Sequence, residues 1–566
     1  VNQQIKSRKF DFQQMGPLGL SLLFLFINLI QAAFTPLLND EPYYWLWAQH
    51  PAWGYFDHPP LIAWLIKPGT WLMNNELGIR LFPVLLGSAT LYIIYDLIRG
   101  EIKQAIDKRL FILLISSAVF MNLYTFVALP DNPLLFFSAL FLWQFRRYLQ
   151  NNRLSDSLLL GAVMALLLYS KYHGILIIAF ALLPNLQLLK RKSFYLAALI
   201  ALILFSPHII WQLNNELPTV RFHLFEKGNV FRFRHVASYA GEQLLLTGPL
   251  LLLLLAVRFR PGTPFLKTVK SVTLGIFIFF LLASFRGMVN AYWTLAAWPG
   301  LLLLSYLAII AIKQKKYIFK LLWLCTFIII GLRINFLFNI VPLPHFNNRN
   351  PEQMALELNR QSEYPLVFVN MFVEPAACLL YQPGNCYAIN NASYKKTHFN
   401  YLEGMELPVQ HQTITLVSVE AIDESSRHIK INKGKSYYLT TRHNFISYQT
   451  RWNINTTLPP SLPPAVSHKV LARVLPAGDQ SNWNSSPPNE IVLTFNMKNR
   501  DSNLLYTSYL ELDELPSDSF YFNFATPAEE GNYKCWFSLS SDTSRIFNTY
   551  NSQIFNIDIQ NQFLSP

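Results

Sequence analysis

Up to about residue 340, long apolar runs alternate with short basic loops; beyond it, no apolar run reaches spanning length. A helix needs roughly 20 predominantly apolar residues to cross a bilayer. This boundary therefore divides the chain into a membrane part and a polar part before any motif is read. Eleven spans are predicted: Leu18–Leu38, Ile79–Ile98, Leu110–Leu129, Leu134–Phe145, Leu158–Tyr169, Gly174–Leu189, Phe194–Leu213, Leu244–Val257, Val269–Ser284, Thr294–Ile312 and Leu321–Phe338. Several are short, and the fifth and sixth read as separate spans or as one broken or tilted pair. The 566-residue chain is 52% hydrophobic and 15% aromatic with a mean hydropathy of +0.24, too apolar for a soluble protein of this size and too polar for one that is all membrane.

The formal charge of +13 belongs to the membrane part, where 30 Lys and Arg stand against 13 Asp and Glu. Those cations lie in loops between apolar segments, not on one soluble face, which argues against nucleic-acid binding as the reason for them. With the N-terminal Lys6, Arg8 and Lys9 inside, alternate loops carry Arg99/Lys103/Lys108/Arg109, Arg146/Arg147/Arg153, Lys190/Arg191/Lys192, Arg258/Arg260/Lys267/Lys270 and Lys313/Lys315/Lys316/Lys320. This is the positive-inside asymmetry. It predicts a cytoplasmic N-terminus and, after eleven spans, an extracytoplasmic domain over 341–566 behind a transmembrane domain over 1–340. The first span follows a basic N-terminus, but its length and the lack of a small-residue cleavage site separate it from a signal peptide. The stretch from Asp40 to Gly78 contains Trp45, Trp47, Trp53, Trp64 and Trp71, a density suited to short helices lying in the outer interface.

The outer domain is expected to open with a helix (Pro351–Gln361), a strand (Leu366–Asn370) and a second helix (Glu374–Tyr381). Strands follow at Thr413–Val419, Ser436–Thr441, Lys469–Val474, Glu490–Phe495, Phe520–Phe524, Tyr533–Leu539 and Ile554–Ile559. Strands between Pro- and Asn-rich turns suggest an α/β start followed by a β-sandwich. The Pro459–Pro464 run reads as an extended linker or edge turn. Of the four cysteines, Cys325 lies in an apolar run; Cys378 and Cys386 either pair, if their domain is extracytoplasmic, or remain two buried thiols.

Ionisable groups at a membrane boundary are costly to dehydrate and are functional candidates by default. Here they gather on the outer side: Asp40, Glu41, Asp57, His58, Asp131, Lys171, His173, His223, Glu226, Lys227, Arg232, Arg234 and Arg286. Asp40 and Glu41 close the first span within Asn39-Asp-Glu-Pro-Tyr-Tyr-Trp; they fit helix capping ahead of Pro42 and also acid–base work. Asp131, in Leu129-Pro-Asp-Asn-Pro133, fits an Asx-turn or helix cap as well as catalysis. Lys171 interrupts two apolar runs, either snorkelling to the headgroups or contacting a phosphate. Lys227 belongs to a basic outer loop, either solvated or folded over an anionic headgroup. Asp57, His58 and His223 offer zinc ligands without tight ligand spacing. No Walker loop, Gly-x-Gly-x-x-Gly loop or His-Glu-x-x-His is present, so activated substrate would have to come from elsewhere, for which a lipid-linked donor is suited.

Asp40-Glu41 after the first span, Tyr55-Phe-Asp-His-Pro-Pro60 in the first outer loop and Leu129-Pro-Asp131 in the second resemble the polyprenyl-phosphate-dependent glycosyltransferases of the GT-C class. Within that class they are most similar to the lipid A aminoarabinose transferase and protein O-mannosyltransferase superfamily. The resemblance covers roughly residues 15–310. It implies a GT-C-like, mainly α polytopic fold, with Asp40 as central catalytic carboxylate and Asp131 as a second. Tyr55-Phe56-Asp57-His58-Pro59 stands where the family has Tyr-Phe-Glu-Lys-Pro, whose lysine binds phosphate and is His58 here. Asp57 with His223 stands for a zinc pair, the one cofactor candidate, and Lys171 for a phosphate-binding lysine. Arg286 and Tyr292, in Ser284-Phe-Arg-Gly-Met-Val-Asn-Ala-Tyr292, stand near the donor. The implied activity is inverting sugar transfer from a polyprenyl-phosphate donor to a glycolipid (such as lipid A), glycan or protein acceptor, on the outer face of a bacterial-type plasma membrane. A transporter or flippase of lipid-linked sugars is the competing expectation; internal repeats and midplane polar groups would mark it, and the chain shows neither.

Overall fold

The computed structural model describes residues 15–560 apart from 39, 103, 152, 216, 222–230, 249, 252, 254–261, 342–349, 392–393, 403, 432–434, 451, 477–490, 501–504, 513–518 and 542–548. The chain divides into two compact units, residues 1–349 and 350–566.

In the first unit, α1 (Pro17–Phe34) begins with a proline whose missing N–H is not needed there. It stops at Thr35, which Pro36 holds in an extended conformation. Two short helices, α2 (Glu41–Gln49) and α3 (Leu61–Leu72), fill the tryptophan-rich stretch, leaving Trp53 and Trp71 exposed. The Asn75 side chain then caps α4 (Glu76–Arg99) by accepting from the Gly78 N–H at 3.0 Å. The third expected span is broken into α5 (Lys108–Ser116) and α6 (Val119–Leu123). Asn122 patches the break, its side-chain amide donating to the carbonyls of Ile115, Ser116 and Ala118 at 2.9, 3.2 and 2.9 Å.

There follow α7 (Asp131–Asn151), α8 (Leu154–Ser170), α9 (Gly174–Leu182) with a 3₁₀ extension over Leu183–Lys190, and α10 (Lys192–Asn214). After these come α11 (Pro218–Arg221), α12 (Phe233–Thr247), α13 (Pro264–Ser284), the 3₁₀ turn Ala291–Ala297 running into α14 (Trp298–Ala311), and α15 (Lys316–Phe338). The fifth and sixth expected spans are thus two separate helices. The eighth overlaps only the end of α12, which stops at Thr247 before Gly248, and its later part lies largely outside the described residues. Among the described residues six helices are long and apolar enough to cross a membrane: α1, α4, α10, α13, Ala291–Ala311 and α15. Their burial sorts centre from periphery. The Ala291–Ala311 window is 83% buried and runs through the core, whereas the α10 window is 17% buried and turns its apolar side chains outward, as a lipid-facing helix must.

The second unit opens with α16 (Pro351–Arg360), β1 (Leu366–Val369), α17 (Val373–Tyr381) and β2 (Cys386–Ile389). Together with β3 (Gln412–Ser418), β4 (Arg427–Ile431) and β5 (Lys435–Phe445) these strands form a mixed sheet in the order β2-β1-β3-β5-β4. Pairing is parallel at β1–β2 and β1–β3 and antiparallel at β3–β5 and β4–β5. The period-2 alternation of a strand is visible in β1: Leu366 and Phe368 pack among the helices, Val367 and Val369 on the opposite face.

The remaining strands are β6 (Trp452–Thr456), β7 (Ser461–Leu462), β8 (Ser467–Pro476), β9 (Ile491–Asn499), β10 (Leu505–Leu512), β11 (Ser519–Ala525), β12 (Gly531–Ser540) and β13 (Phe555–Ile559). They make two sheets, β10-β9-β12-β13-β7 and β11-β8-β6, joined across one core in which Phe495 lies 4.4 Å from Phe524 and 4.6 Å from Phe537, centroid to centroid. The sandwich expected from the sequence is therefore present, with one correction. Thr413–Val419 and Ser436–Thr441, read as its first strands, instead extend the α/β sheet, because β3 pairs with the free side of β1. The prolines around β7 sit at a sheet edge, where a missing N–H leaves no ladder bond unmade.

Cys378 and Cys386 are bonded to each other, tying α17 to β2 with their Cα atoms 5.9 Å apart, while Cys325 and Cys535 are free. Alkylation of the denatured, unreduced protein is expected to label two of its four cysteines, and of the reduced protein all four. Mass spectrometry of the 378–386 peptide checks this directly.

Candidate active site

The site is built on a buried ion pair that sequence reading missed. Arg80, in the second turn of α4, is fully buried, as is Glu41 at the start of α2. The guanidinium donates through Nε to Glu41 Oε1 at 2.7 Å and through Nη2 to Glu41 Oε2. Its other N–H groups reach the carbonyls of Ala32 (2.9 Å), Thr35 and Pro36 (3.0 Å) at the end of α1. An arginine has five donors, and these contacts use them all. Glu41 also accepts from the N–H groups of Leu38 at 2.7 Å and Ala128 at 2.8 Å. Both of its oxygens are thereby saturated. The expected direct catalytic role of Glu41 has no lone pair left to perform it, and the residue acts as the anchor of the site.

Asp40 is the neighbour so anchored. It takes the N-cap position of α2 without a side-chain capping bond. It lines a cavity of about 760 Å³, part of it open, together with Tyr44, His58, Tyr124, Asp131, Lys171 and Tyr292, closed on its apolar side by Leu38, Leu123, Val127, Leu129 and Phe336. Asp40, His58, Asp131, Lys171 and Tyr292, scattered over some 250 positions of sequence, thus meet in one place.

Asp131 opens α7. The adjacent Asn132 fixes this turn by donating to the carbonyls of Pro83 at 3.0 Å and Tyr124 at 2.7 Å. Lys171 leaves the end of α8 in an extended conformation and places Nζ 2.9 Å from each oxygen of Asp131. Nζ also lies 4.9 Å from the centre of the Tyr292 ring, a cation–π contact. The Asp131 carboxylate is therefore committed to Lys171. Tyr44 faces the cavity from α2; burial first, and then the nearby Asp40, hold its phenol well above its ordinary pKa.

The other expected site residues lie elsewhere. Tyr55 is fully buried and stacks on Trp47 at 4.4 Å, and its hydroxyl is shared among the carbonyls of Trp47 and His50 and the N–H of Ala52. It shapes the first loop and does not line the cavity. Arg286 is exposed in the turn after α13 and does not line it either. Asp57 accepts from the Tyr43 hydroxyl at 3.1 Å. Lys227 and His223 lie outside the described residues, so the zinc pair has one described member, and no group of three or more metal-ligating side chains stands among the described residues. Sequence reading overlooked Arg80, Tyr44 and Tyr124. Arg80 carried a usable signal, a charge inside an apolar run; the tyrosines carried none, being three among 27 if Tyr292 is counted.

Residues 57–211 match the family model described as dolichyl-phosphate-mannose-protein mannosyltransferase. The chain is 25% identical over 232 residues to the lipid A galacturonosyltransferase RgtD of Rhizobium johnstonii, a match covering 38% of this chain and 48% of that protein, so about half of that relative's length is spanned. The fold is shared with ArnT from Cupriavidus metallidurans in the apo state (TM-score 0.54, 13% identity, 75% of this chain and 98% of that one). The structure of the same protein bound to undecaprenyl phosphate matches similarly (TM-score 0.51, 13% identity, 75% and 97%). The chain accordingly has the GT-C-like architecture expected from its first outer loop.

Removing one member of the buried pair strands the other. Glu41→Ala or Arg80→Ala is expected to destabilise the protein by roughly 3–5 kcal/mol, seen as earlier thermal unfolding in detergent. Asp40→Asn, which leaves the pair intact, is expected to unfold at the wild-type temperature.

Proposed function

We propose that this chain is an integral-membrane glycosyltransferase that moves a hexosyl or pentosyl group from a polyprenyl-phosphate donor to an acceptor at the extracytoplasmic face of a bacterial-type plasma membrane. The observation that carries the reading is the single cavity bordered by Asp40, His58, Asp131, Lys171 and Tyr292, at the end of a bundle whose fold is shared with a protein solved with undecaprenyl phosphate bound. The similarity to a lipid A galacturonosyltransferase favours a glycolipid acceptor.

In the reaction, an acceptor oxygen attacks the anomeric carbon from the side opposite the phosphate. The bond from that carbon to the phosphate oxygen breaks, its electron pair leaves on the phosphate, and the configuration inverts. Asp40 takes the proton of an acceptor hydroxyl, or orients the acceptor if it is already an anionic phosphate. Lys171 and His58 stabilise the charge growing on the departing phosphate, where preorganised charge contributes most to rate. Asp131 aims Lys171, whose Nζ it holds between its two oxygens. Tyr44, Tyr124 and Tyr292 offer ring faces and hydroxyls to the sugar.

With purified protein and a polyprenyl-phosphate sugar, Asp40→Asn is expected to lower transfer on the order of 10²-fold or more while binding of the polyprenyl phosphate persists. Full transfer by this variant would remove the mechanism. Movement of labelled lipid between leaflets without a new glycosidic bond would establish the transporter instead. Mass analysis of glycolipids from cells with and without the protein identifies the sugar and its acceptor.

A further inference from the structure

Behind the cavity lies a second polar cluster that the mechanism leaves unused. His208 and Gln212, one turn apart on α10, and Thr219 on α11 are all buried, and Tyr172 joins them from the residue after Lys171. His208 Nδ1 lies 2.8 Å from the carbonyl of Trp53 and His208 Nε2 lies 2.8 Å from the Tyr172 hydroxyl. Gln212 donates to the Tyr172 hydroxyl at 2.8 Å and to Thr219 Oγ1 at 3.0 Å, and Thr219 donates to the carbonyl of Phe56 at 2.7 Å.

A neutral imidazole at His208 gives the bonds one consistent set of directions. A carbonyl only accepts, so His208 carries its proton on Nδ1; in the neutral ring Nε2 then accepts, and the Tyr172 O–H points at it. The Gln212 amide fills the remaining acceptor positions on Tyr172 and Thr219, and the Thr219 proton goes to Phe56. The chain of bonds therefore ends on two backbone carbonyls, Trp53 and Phe56, that bracket the turn leading into Asp57 and His58. Gly54, between them, presses so closely on α10 that a Cβ would stand 2.3 Å from the Trp211 ring and 2.9 Å from His208 Nδ1. The loop is thus gripped at both carbonyls and packed closely against α10.

We propose that Tyr172, His208, Gln212 and Thr219 form a positioning clamp that fixes His58 relative to the Lys171–Asp131 pair. Lys171 and Tyr172 are consecutive residues with opposite duties: the first turns into the cavity, the second holds the loop that supplies the other cationic candidate. The clamp rests on the glycosyl-transfer reading for what it positions, and on hydrogen-bond geometry alone for its existence.

Thr219→Val keeps size and shape but removes the hydroxyl, and Thr219→Ser restores it. In hydrogen exchange followed by mass spectrometry, peptides over residues 53–58 are expected to exchange about tenfold faster or more in Thr219→Val and Tyr172→Phe, with Thr219→Ser close to wild type. Unchanged exchange in both hydroxyl-deleting variants would overturn the clamp, whether or not the protein transfers sugar. In the transfer assay, Thr219→Val is expected to lower kcat about tenfold with KM for the lipid donor little changed, because misplaced groups lose transition-state contacts first. In a His58→Ala background the same substitution is expected to cause little further loss, since the two act through one group. An equal fold-loss in both backgrounds would show that the cluster does not act through His58. Absence of transfer by the wild-type chain would count against the glycosyl-transfer reading, and the exchange experiment would still decide the clamp.

Discussion

The arrangement depends first on the pairing of Glu41 with Arg80. Placing a guanidinium inside an apolar bundle is expensive unless every donor is met. Here the requirement is satisfied by converging backbone: three carbonyls from the end of α1, a carboxylate from α2, and through that carboxylate the N–H groups of Leu38 and Ala128. Four separate stretches of chain are thereby held at one point. Such a polar network specifies geometry because a half-satisfied version of it is worse than none. Asp40, one residue from Glu41, inherits that rigidity.

The cavity is assembled the same way, by polar side chains binding the backbone of distant segments. Asn132 holds the turn that presents Asp131, and the cluster around His208 holds the turn that presents His58. Residues that line the cavity stand beside residues that bind protein: Asp40 beside Glu41, Asp131 beside Asn132, Lys171 beside Tyr172. Adjacent side chains on a helix end or an extended segment diverge, so one residue can face the cavity while the next faces protein.

Much of this was legible in the sequence. The apolar runs placed the helices, the alternation after residue 410 placed most of the sandwich strands, and the charged residues at span ends pointed to Asp40, Asp131 and Lys171. What escaped was whatever depends on which partner a side chain finds once folded, whether far away in the chain or a few residues off. The alternation of Thr413–Val419 is the same whether it joins a sandwich or the edge of β1. Glu41 reads like Asp40 until Arg80 is seen to consume both its oxygens. Tyr55 sits in the loop motif yet turns inward to stack on Trp47, and the break between α5 and α6 is invisible without knowing where the amide of Asn122 goes.

The pairing of Lys171 with both oxygens of Asp131 has a consequence for selectivity. Phospholipid headgroups vastly outnumber any lipid-linked sugar in a bilayer, and a bare ammonium at the membrane surface would be crowded by them. With its charge already answered from within the chain, the lysine presents little attraction to a passing phosphate that offers nothing else. On the proposed function, a donor's sugar would add contacts with the tyrosines to its phosphate's pull on the lysine, and an ordinary lipid has no such sugar.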